Sequence, residues 1–242
     1  MLIDAHVHIF PNVNGYGPKG HTHGAGYGRS DAGDGIAQDV LPAINENTSH
    51  TLQMLLHEMR QAQVDKAVLI LCPCYGDWSE YVLQACRDYP EQFTASAFFD
   101  PWSPAARQYY AEKLEGSLWK NIKIEFSEAG GLYGVYPGVQ LDAPELRWLW
   151  EAMEAGGKTV SFDLGRPGDG SYQTDQIASI AKRHPGLKIV LCHMGQPSRA
   201  AERNPELWSA WLEQIRLGTL PNVWFDLSAL PYHVQKLSLI HI

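Results

Sequence analysis

Two histidines at the end of the first apolar segment, His6 and His8, are the residues of this chain best suited to metal chemistry. Residues two apart on a strand point to the same face, with Cα atoms about 7 Å apart. Both imidazoles can therefore reach one ion, and imidazole nitrogen is a common ligand of divalent metals. The alternative is two core histidines, but burying two imidazoles without polar partners is costly. The spacing favours a metal site.

A second histidine pair, His21 and His23, has the same spacing but lies in a glycine-rich segment that we predict to lack strand geometry. A solvated loop is the simpler interpretation of this pair, and substrate contact is the alternative. Cys72 and Cys74 share a face of the second apolar segment. Since the sequence places no other ligand type beside them, we expect both to pack in the core as small apolar residues.

Seven short apolar segments alternate with stretches of helical periodicity. The predicted strands are Leu2–His8, Lys66–Cys72, Phe93–Phe98, Asn121–Phe126, Lys158–Leu164, Leu187–His193 and Asn222–Leu227. Most of these segments are nearly continuous apolar runs, which is typical of strands buried on both faces of a parallel sheet. The repeated strand–helix order indicates parallel strands joined by right-handed crossovers.

The stretches between these segments predict helices. Ser49 is the predicted cap of the first helix and Asp77 that of the second. Further helices are predicted at Pro104–Leu114, Pro144–Ala155, Thr174–Arg183 and Pro205–Arg216. Proline in the first turn suits a helix start. The pattern fits either a doubly wound sheet or a (β/α)8 barrel. The lack of a glycine-rich phosphate loop after the first strand, and the polar residues at many strand ends, favour the barrel.

The connection over residues 11–47 is unusually long, rich in glycine and without helical periodicity. Loops of this length are uncommon unless they are functional or disordered. We interpret it as a lid over the barrel mouth, and a disordered insertion is the alternative. The whole chain, residues 1–242, is predicted to form a single barrel domain.

The composition excludes several classes of partner. A formal charge of −8 argues against nucleic acid or an anionic membrane, and leaves a small-molecule substrate. Four cysteines are too few for a disulfide framework. Asp4 and His6 interrupt the first apolar run, so we expect no signal peptide, and no apolar run is long enough for a membrane span. We predict a cytoplasmic protein, with homo-oligomers left open.

The sequence resembles a known family. MLIDAHVHIF is similar to the opening of the amidohydrolase superfamily, in particular its amidohydrolase-related branch with the aminocarboxymuconate-semialdehyde decarboxylase-like proteins. The likeness continues through VDKAVLI, NIKIEF, LKIVLCHMGQP and NVWFDLSAL, and so covers nearly the whole chain. It implies a distorted (β/α)8 barrel with one or two metal ions at the carboxyl ends of the strands.

The resemblance assigns roles by motif. His6 and His8 would be first-strand metal ligands. His193 would be the sixth-strand histidine, which orients water, activates it or protonates substrate. Its position also makes it a candidate ligand, and a strand-end histidine bonded to a loop is the alternative. The implied cofactor is a divalent ion, zinc first and manganese second.

Two departures from the family pattern affect the predicted ligand set. Where the family places a fifth-strand histidine ligand, this chain has Asp163, which could ligate metal, support a ligand, act in catalysis or bind substrate. The family also has a catalytic aspartate at the end of an eighth strand, and we identify no such strand. Asp226 on the seventh strand is the candidate substitute. We therefore expect a barrel truncated after the seventh strand, lacking its last βα unit.

Three further residues are candidates for substrate binding. Lys123 and Glu125 share a face of the fourth strand, where binuclear relatives carry a bridging group. With Asp163 replacing histidine, we expect them to line the pocket rather than bridge two ions. Arg166 follows the fifth strand and could clamp a substrate carboxylate bidentately, or form a surface ion pair.

These features predict a metal-dependent hydrolase that attacks a small cyclic amide, lactone or ester with metal-activated water. A nonoxidative decarboxylase of a small carboxylic acid is the close alternative, because this branch performs both reactions. An inactive truncated barrel that only binds a ligand is the third hypothesis.

Overall fold

The chain divides into two compact units, Met1–Phe98 and Phe99–Ile242. The computed structural model describes residues 1–17, 19–43 and 45–230. The prediction of a missing last βα unit falls on the segment from residue 231 onward, which lies outside the described residues. The prediction of a single barrel domain stays a prediction.

The first unit carries three parallel strands, a further four strands and two helices. The parallel strands and the helices follow one another along the chain in the predicted order. Its strands are β1 (Ile3–Val7), β2 (Asn14–Gly17), β3 (Gly20–Gly26), β4 (Arg29–Asp31), β5 (Ala37–Asp39), β6 (Lys66–Ile70) and β7 (Phe93–Phe98). Its helices are α1 (Leu52–Ala62) and α2 (Ser79–Asp88). Strand β6 pairs in parallel with β1 on one side and with β7 on the other.

The caps of these helices differ in detail from the prediction. Thr51, not Ser49, caps α1: its extended backbone lets its side chain accept the N–H of Met54. The hydroxyl of Ser49 instead lies 3.2 Å from the amide nitrogen of Asn45. Trp78, not Asp77, is the N-cap residue of α2, and Asp77 instead accepts the N–H of Ser79, the first residue of α2, at 3.1 Å.

The segment 11–47 is not a structureless loop. Strands β2 to β5 form a four-stranded antiparallel sheet in chain order. His21 and His23 lie on β3, so the expectation that they lack strand geometry is wrong. The sequence hid these strands because their glycines serve turns and close contacts. A Cβ atom on Gly15 would lie 2.1 Å from the carbonyl oxygen of Pro73, so the sheet docks backbone to backbone on the turn after β6.

The second unit carries four parallel strands, again paired in chain order. They are β8 (Trp119–Glu125), β9 (Thr159–Asp163), β10 (Lys188–Leu191) and β11 (Val223–Phe225). The core is built from their side chains, and those of β8 and β9 are almost entirely buried, as the apolar runs predicted.

The helices of the second unit lie before and between these strands. They are α3 (Ala106–Tyr109), α4 (Leu132–Val135), α5 (Arg147–Ala155), α6 (Thr174–Arg183), α7 (Arg199–Glu202) and α8 (Pro205–Arg216). The predicted bounds of α6 and α8 are confirmed. A wider π turn, Tyr110–Leu114, continues α3, and a 3-10 turn, Pro144–Leu146, precedes α5. Within the described residues, no helix has the length and apolar character that crossing a membrane requires.

The side chain of Asn222, the residue directly before β11, makes hydrogen bonds whose contribution to stability can be tested. Its buried side-chain nitrogen lies 3.0 Å from three carbonyl oxygens, those of Ala181, His184 and Leu187. Asn222→Asp places a carboxylate against these acceptors, so the free energy of unfolding should fall by about 3 kcal/mol. Urea denaturation measures it.

The matched control is the same chemical change at Asn204, which caps α8 by accepting the N–H groups of Glu206 and Leu207. Aspartate caps helices as well as asparagine does, so Asn204→Asp should change the free energy of unfolding by less than about 0.5 kcal/mol. Equal losses in both variants would contradict the role given to Asn222.

Candidate functional site

The histidine pair, His6 and His8, lies at the carboxyl end of β1 in the first unit. The strand pairing slips between Asp4 and Val7, and such a bulge re-aims side chains. The two imidazole rings lie 5.1 Å apart, centre to centre, in a T-shaped arrangement. The rings are thus close neighbours, as the spacing predicted.

A backbone hydrogen bond orients His8. Its Nδ1–H donates to the carbonyl oxygen of Ile70 at 2.7 Å, which leaves the lone pair on Nε2. Metal-ligating histidines characteristically use one ring nitrogen in this way. Imidazole donors oriented by backbone fit a divalent ion by donor type and by support.

Aromatic contacts hold the same end of β1. The ring of Tyr75 lies 5.1 Å from that of His8 and stacks on Phe10 at 4.2 Å. His50 donates to the carbonyl oxygen of His8 at 2.7 Å. The position of His8 therefore depends on the turn after β6 as well as on its own strand.

In the second unit, Asp163 is the centre of a strand-end cluster that comprises Lys123, Glu125, Asp163, His193 and Asp226. Asp163 is buried at the end of β9. Its Oδ2 accepts Nε2–H of His193 at 3.0 Å, and its Oδ1 accepts the side-chain amide of Gln196 at 2.5 Å. The ammonium of Lys123 lies 3.9 Å away. Both carboxylate oxygens are thus satisfied.

These contacts set the charges of the pair. Burial opposes ionisation of Asp163, but the hydrogen bond from His193 and the charge of Lys123 outweigh it and hold its pKa well below the usual value. Burial likewise opposes the charged ring of His193, but the hydrogen bond and charge of Asp163 raise its pKa. Both shifts favour the imidazolium–carboxylate form of the pair.

Lys123 and Glu125 form a second buried ion pair on β8. Lys123 is only 3% exposed, and its Nζ lies 3.1 Å from Oε2 of Glu125. Ser127 donates to the other oxygen of Glu125 at 2.7 Å. Burial, only partly offset by Lys123, raises the pKa of Glu125. The structure therefore brings these two residues beside Asp163.

Asp226, directly after β11, ties the cluster to His193. One carboxylate oxygen accepts the backbone N–H of His193 at 2.8 Å and that of Ser228 at 3.1 Å. A carboxylate oxygen of Asp226 also lies within 4.8 Å of a ring nitrogen of His193, a separation that one shared ion can span. The Nδ1–H of His193 donates to the carbonyl oxygen of Ser228 at 3.1 Å.

The backbone that carries His193 is strained. His193, Met194 and Gln196 have φ values of 57°, 51° and 51°, and Gly195 has 67°, so four consecutive residues are left-handed. Each non-glycine residue in this region costs about 1 kcal/mol or more. Strain of this kind persists only where surrounding contacts impose it.

Three hydrogen bonds impose this left-handed turn. The indole of Trp211 donates to the carbonyl oxygen of Met194 at 2.9 Å, and the hydroxyl of Tyr172 donates to that of Gly195 at 2.9 Å. The N–H of Met194 donates to the carbonyl oxygen of Asp226 at 2.8 Å. A side chain from α8 thus helps to aim the imidazole at Asp163.

Other candidates from the sequence lie elsewhere. Arg166 is exposed in the loop after β9, and its role in substrate binding stays a prediction. Cys72 and Cys74 are half-buried rather than packed in the core. The sequence analysis did not identify Gln196 or Ser228, because their roles depend on the left-handed turn and on the pairing of β10 with β11.

Asp163→Asn tests the charge of His193. The amide removes the negative charge while burial continues to oppose the imidazolium, so the pKa of His193 should fall. A pH titration of the His193 ring proton by NMR, in chelator-treated protein, measures the shift. An unchanged His184 resonance reports that the fold is retained. An unchanged pKa of His193 would show that Asp163 does not stabilise the charged form of its ring.

Trp211→Phe tests the restraint on the turn. Losing the bond to Met194 should lower the free energy of unfolding by about 1–2 kcal/mol. The matched control is Trp208→Phe, which changes the neighbouring ring of α8, 4.4 Å from that of Trp211, and keeps the bond to Met194. In urea denaturation, its free energy of unfolding should fall by less. Equal effects would mean that aromatic packing, not the hydrogen bond, matters.

Solved structures of similar shape identify the architecture. The probable 2-pyrone-4,6-dicarboxylic acid hydrolase of Acinetobacter baumannii, with citric acid bound, matches 97% of this chain and 75% of its own length, at 15% identity and a TM-score of 0.60. An uncharacterised TIM-barrel protein of Bordetella bronchiseptica matches 75% and 61%, at 17% identity and a TM-score of 0.54. These likenesses confirm the barrel class predicted from the strand order.

A third similar structure is an amidohydrolase of Burkholderia multivorans with bound zinc, which matches 94% of this chain and 69% of its own, at 17% identity and a TM-score of 0.51. No curated protein matches the chain. The family model described as Amidohydrolase matches residues 3–238. The chain therefore belongs to the amidohydrolase family.

Proposed function

We propose that this chain is a metal-dependent hydrolase that acts on a small cyclic amide, lactone or ester. The observation that carries the proposal is the histidine pair of β1, in which a backbone carbonyl orients His8 as it does in metal sites. Membership of the amidohydrolase family supports an enzyme. The proposal includes a cytoplasmic location, a small-molecule substrate and the formation of homo-oligomers.

We propose that His6 and His8 hold a divalent ion, and ligation by Asp163 or His193 stays a prediction from the sequence. Zinc suits nitrogen and carboxylate donors, and manganese is the alternative. The zinc in the Burkholderia multivorans protein is in line with this choice. A bound ion would supply Lewis acidity, which polarises a carbonyl group and lowers the pKa of water.

His193 is suited to carry a proton. Both of its ring nitrogens donate in the structure, Nε2 to Asp163 and Nδ1 to Ser228. Ligation through Nε2 would require loss of that proton, so the ring serves either as a ligand or as a proton carrier. We favour the second role: the imidazolium of His193 gives its Nε2 proton to the leaving atom, and the neutral ring then takes a proton released by the attacking water. Asp163 keeps the ring aligned.

The substrate class follows from ring chemistry and charge. The Acinetobacter baumannii protein is named for 2-pyrone-4,6-dicarboxylic acid, and a 2-pyrone is a cyclic ester with an attackable carbonyl carbon. Arg166 carries a positive charge that would favour an acidic substrate, and Lys123 and Glu125, which form an ion pair with each other, would line the pocket. We therefore favour a lactone that bears a carboxylate.

The same charged histidine favours a second function. An imidazolium at Nε2 of His193 could protonate a carbon atom, the step that precedes loss of CO2 from a small carboxylic acid. A nonoxidative decarboxylase is therefore the alternative, and a ligand-binding barrel without activity is the third.

Metal content tests the proposal first. Elemental analysis of the purified chain, dialysed against zinc, should give about one ion per chain. His6→Ala/His8→Ala should lower metal affinity at least about 100-fold. The matched control is His21→Ala/His23→Ala, which removes the exposed pair of β3. Absence of metal from the wild type, or metal loss in the control variant, would rule the site out.

His193→Gln tests the proton carrier. On a panel of 2-pyrone carboxylates and other small lactones, kcat should fall at least about 100-fold, with KM changed much less. The control is His184→Gln, a buried histidine paired with Glu154 outside the cluster. Release of CO2 from small carboxylic acids, in place of ring opening, would select the decarboxylase.

A further inference from the structure

Two cysteines flank a proline in the turn that follows β6, and we call residues 72–76 the thiol turn. The Sγ atoms of Cys72 and Cys74 lie 2.6 Å apart, closer than a van der Waals contact between sulfurs. Both residues are half-buried, whereas Cys86 and Cys192 are buried. The thiol turn therefore presents two sulfurs together where a small reagent can reach them.

The backbone of the thiol turn keeps the sulfurs adjacent. The N–H of Tyr75 donates to the carbonyl oxygen of Cys72 at 3.0 Å, and that of Gly76 donates to Pro73 at 3.2 Å. The hydroxyl of Thr22 donates to the carbonyl oxygen of Cys74. Because these bonds restrain the backbone on both sides of Pro73, the two sulfurs are held next to each other.

The thiol turn also contacts the candidate metal ligand of β1. Ile70, two residues before Cys72, accepts the Nδ1–H of His8, and Tyr75 packs against the same ring. On its other side, the N–H of Tyr16 donates to Pro73 at 2.9 Å. A covalent change in the turn would thus act between the antiparallel sheet and His8.

We propose that Cys72 and Cys74 form a dithiol site that a hydroperoxide closes to a disulfide. One thiolate attacks the O–O bond of hydrogen peroxide, giving a sulfenic acid and water. The second thiol attacks that sulfur and expels the oxygen as a second water. The two sulfurs supply the two electrons and the peroxide accepts them. An external dithiol reverses the reaction.

Oxidation of the full chain tests the site. Reduced protein treated with hydrogen peroxide should lose two hydrogen atoms in its intact mass, and peptide mapping should place the new disulfide between Cys72 and Cys74. The reaction should be at least about tenfold faster than loss of the other two thiols, because Cys86 and Cys192 are both buried and burial raises the pKa of Cys86 to about 11. Gain of oxygen on single cysteines, or disulfide-linked dimers, would overturn the proposal.

A second probe does not depend on an oxidant. Phenylarsine oxide bridges two adjacent thiols with release of one water, so the reduced wild type should take up one arsenic that a small dithiol removes. Cys72→Ser and Cys74→Ser should each abolish this adduct, and the matched variant Cys86→Ser should retain it. An adduct that survives in either of the first two variants would also overturn the proposal. The wild-type measurement stands even if a variant folds poorly.

Discussion

The carboxylate of Asp163 is the group on which the second unit depends most. It is buried at the end of β9, and it persists as an anion only because His193, Gln196 and Lys123 surround it with donors and positive charge. Removing one partner of a buried ion pair leaves the other uncompensated, at a cost of about 3–5 kcal/mol. The charges of four strand ends are therefore mutually dependent.

Strand register creates this dependence. Glu125 of β8 lies opposite Asp163 of β9, so the carboxyl groups of both strands end at the same level. Lys123, two residues earlier on β8, points to the same face and places its ammonium between the two carboxylates. The left-handed turn then brings His193 back toward Asp163. A shift of one residue would turn every one of these side chains to the other face of the sheet.

The sequence allowed the parallel strands, most helices and the strand-end residues to be predicted, because apolar runs and caps are local signals. Asp163 and His193 could be identified from their places at the end of β9 and just after β10. The left-handed turn could not, since Met194 and Gln196 are ordinary residues whose conformation Trp211 imposes from α8. The antiparallel sheet was missed for a similar reason: glycines such as Gly15 carry no side-chain pattern.

Gly15 also determines how freely the antiparallel sheet can change. The sheet touches the turn after β6 through main-chain atoms, Asn14 to Tyr75 and Tyr16 to Pro73, at a point where no side chain fits. Side chains that point away, such as those of Tyr16 and His21, take little part in that docking. The segment therefore has the character of an exchangeable module, because main-chain groups hold it in place and its outer side chains do not. Those outer side chains could be redesigned without disturbing the turn on which the sheet docks.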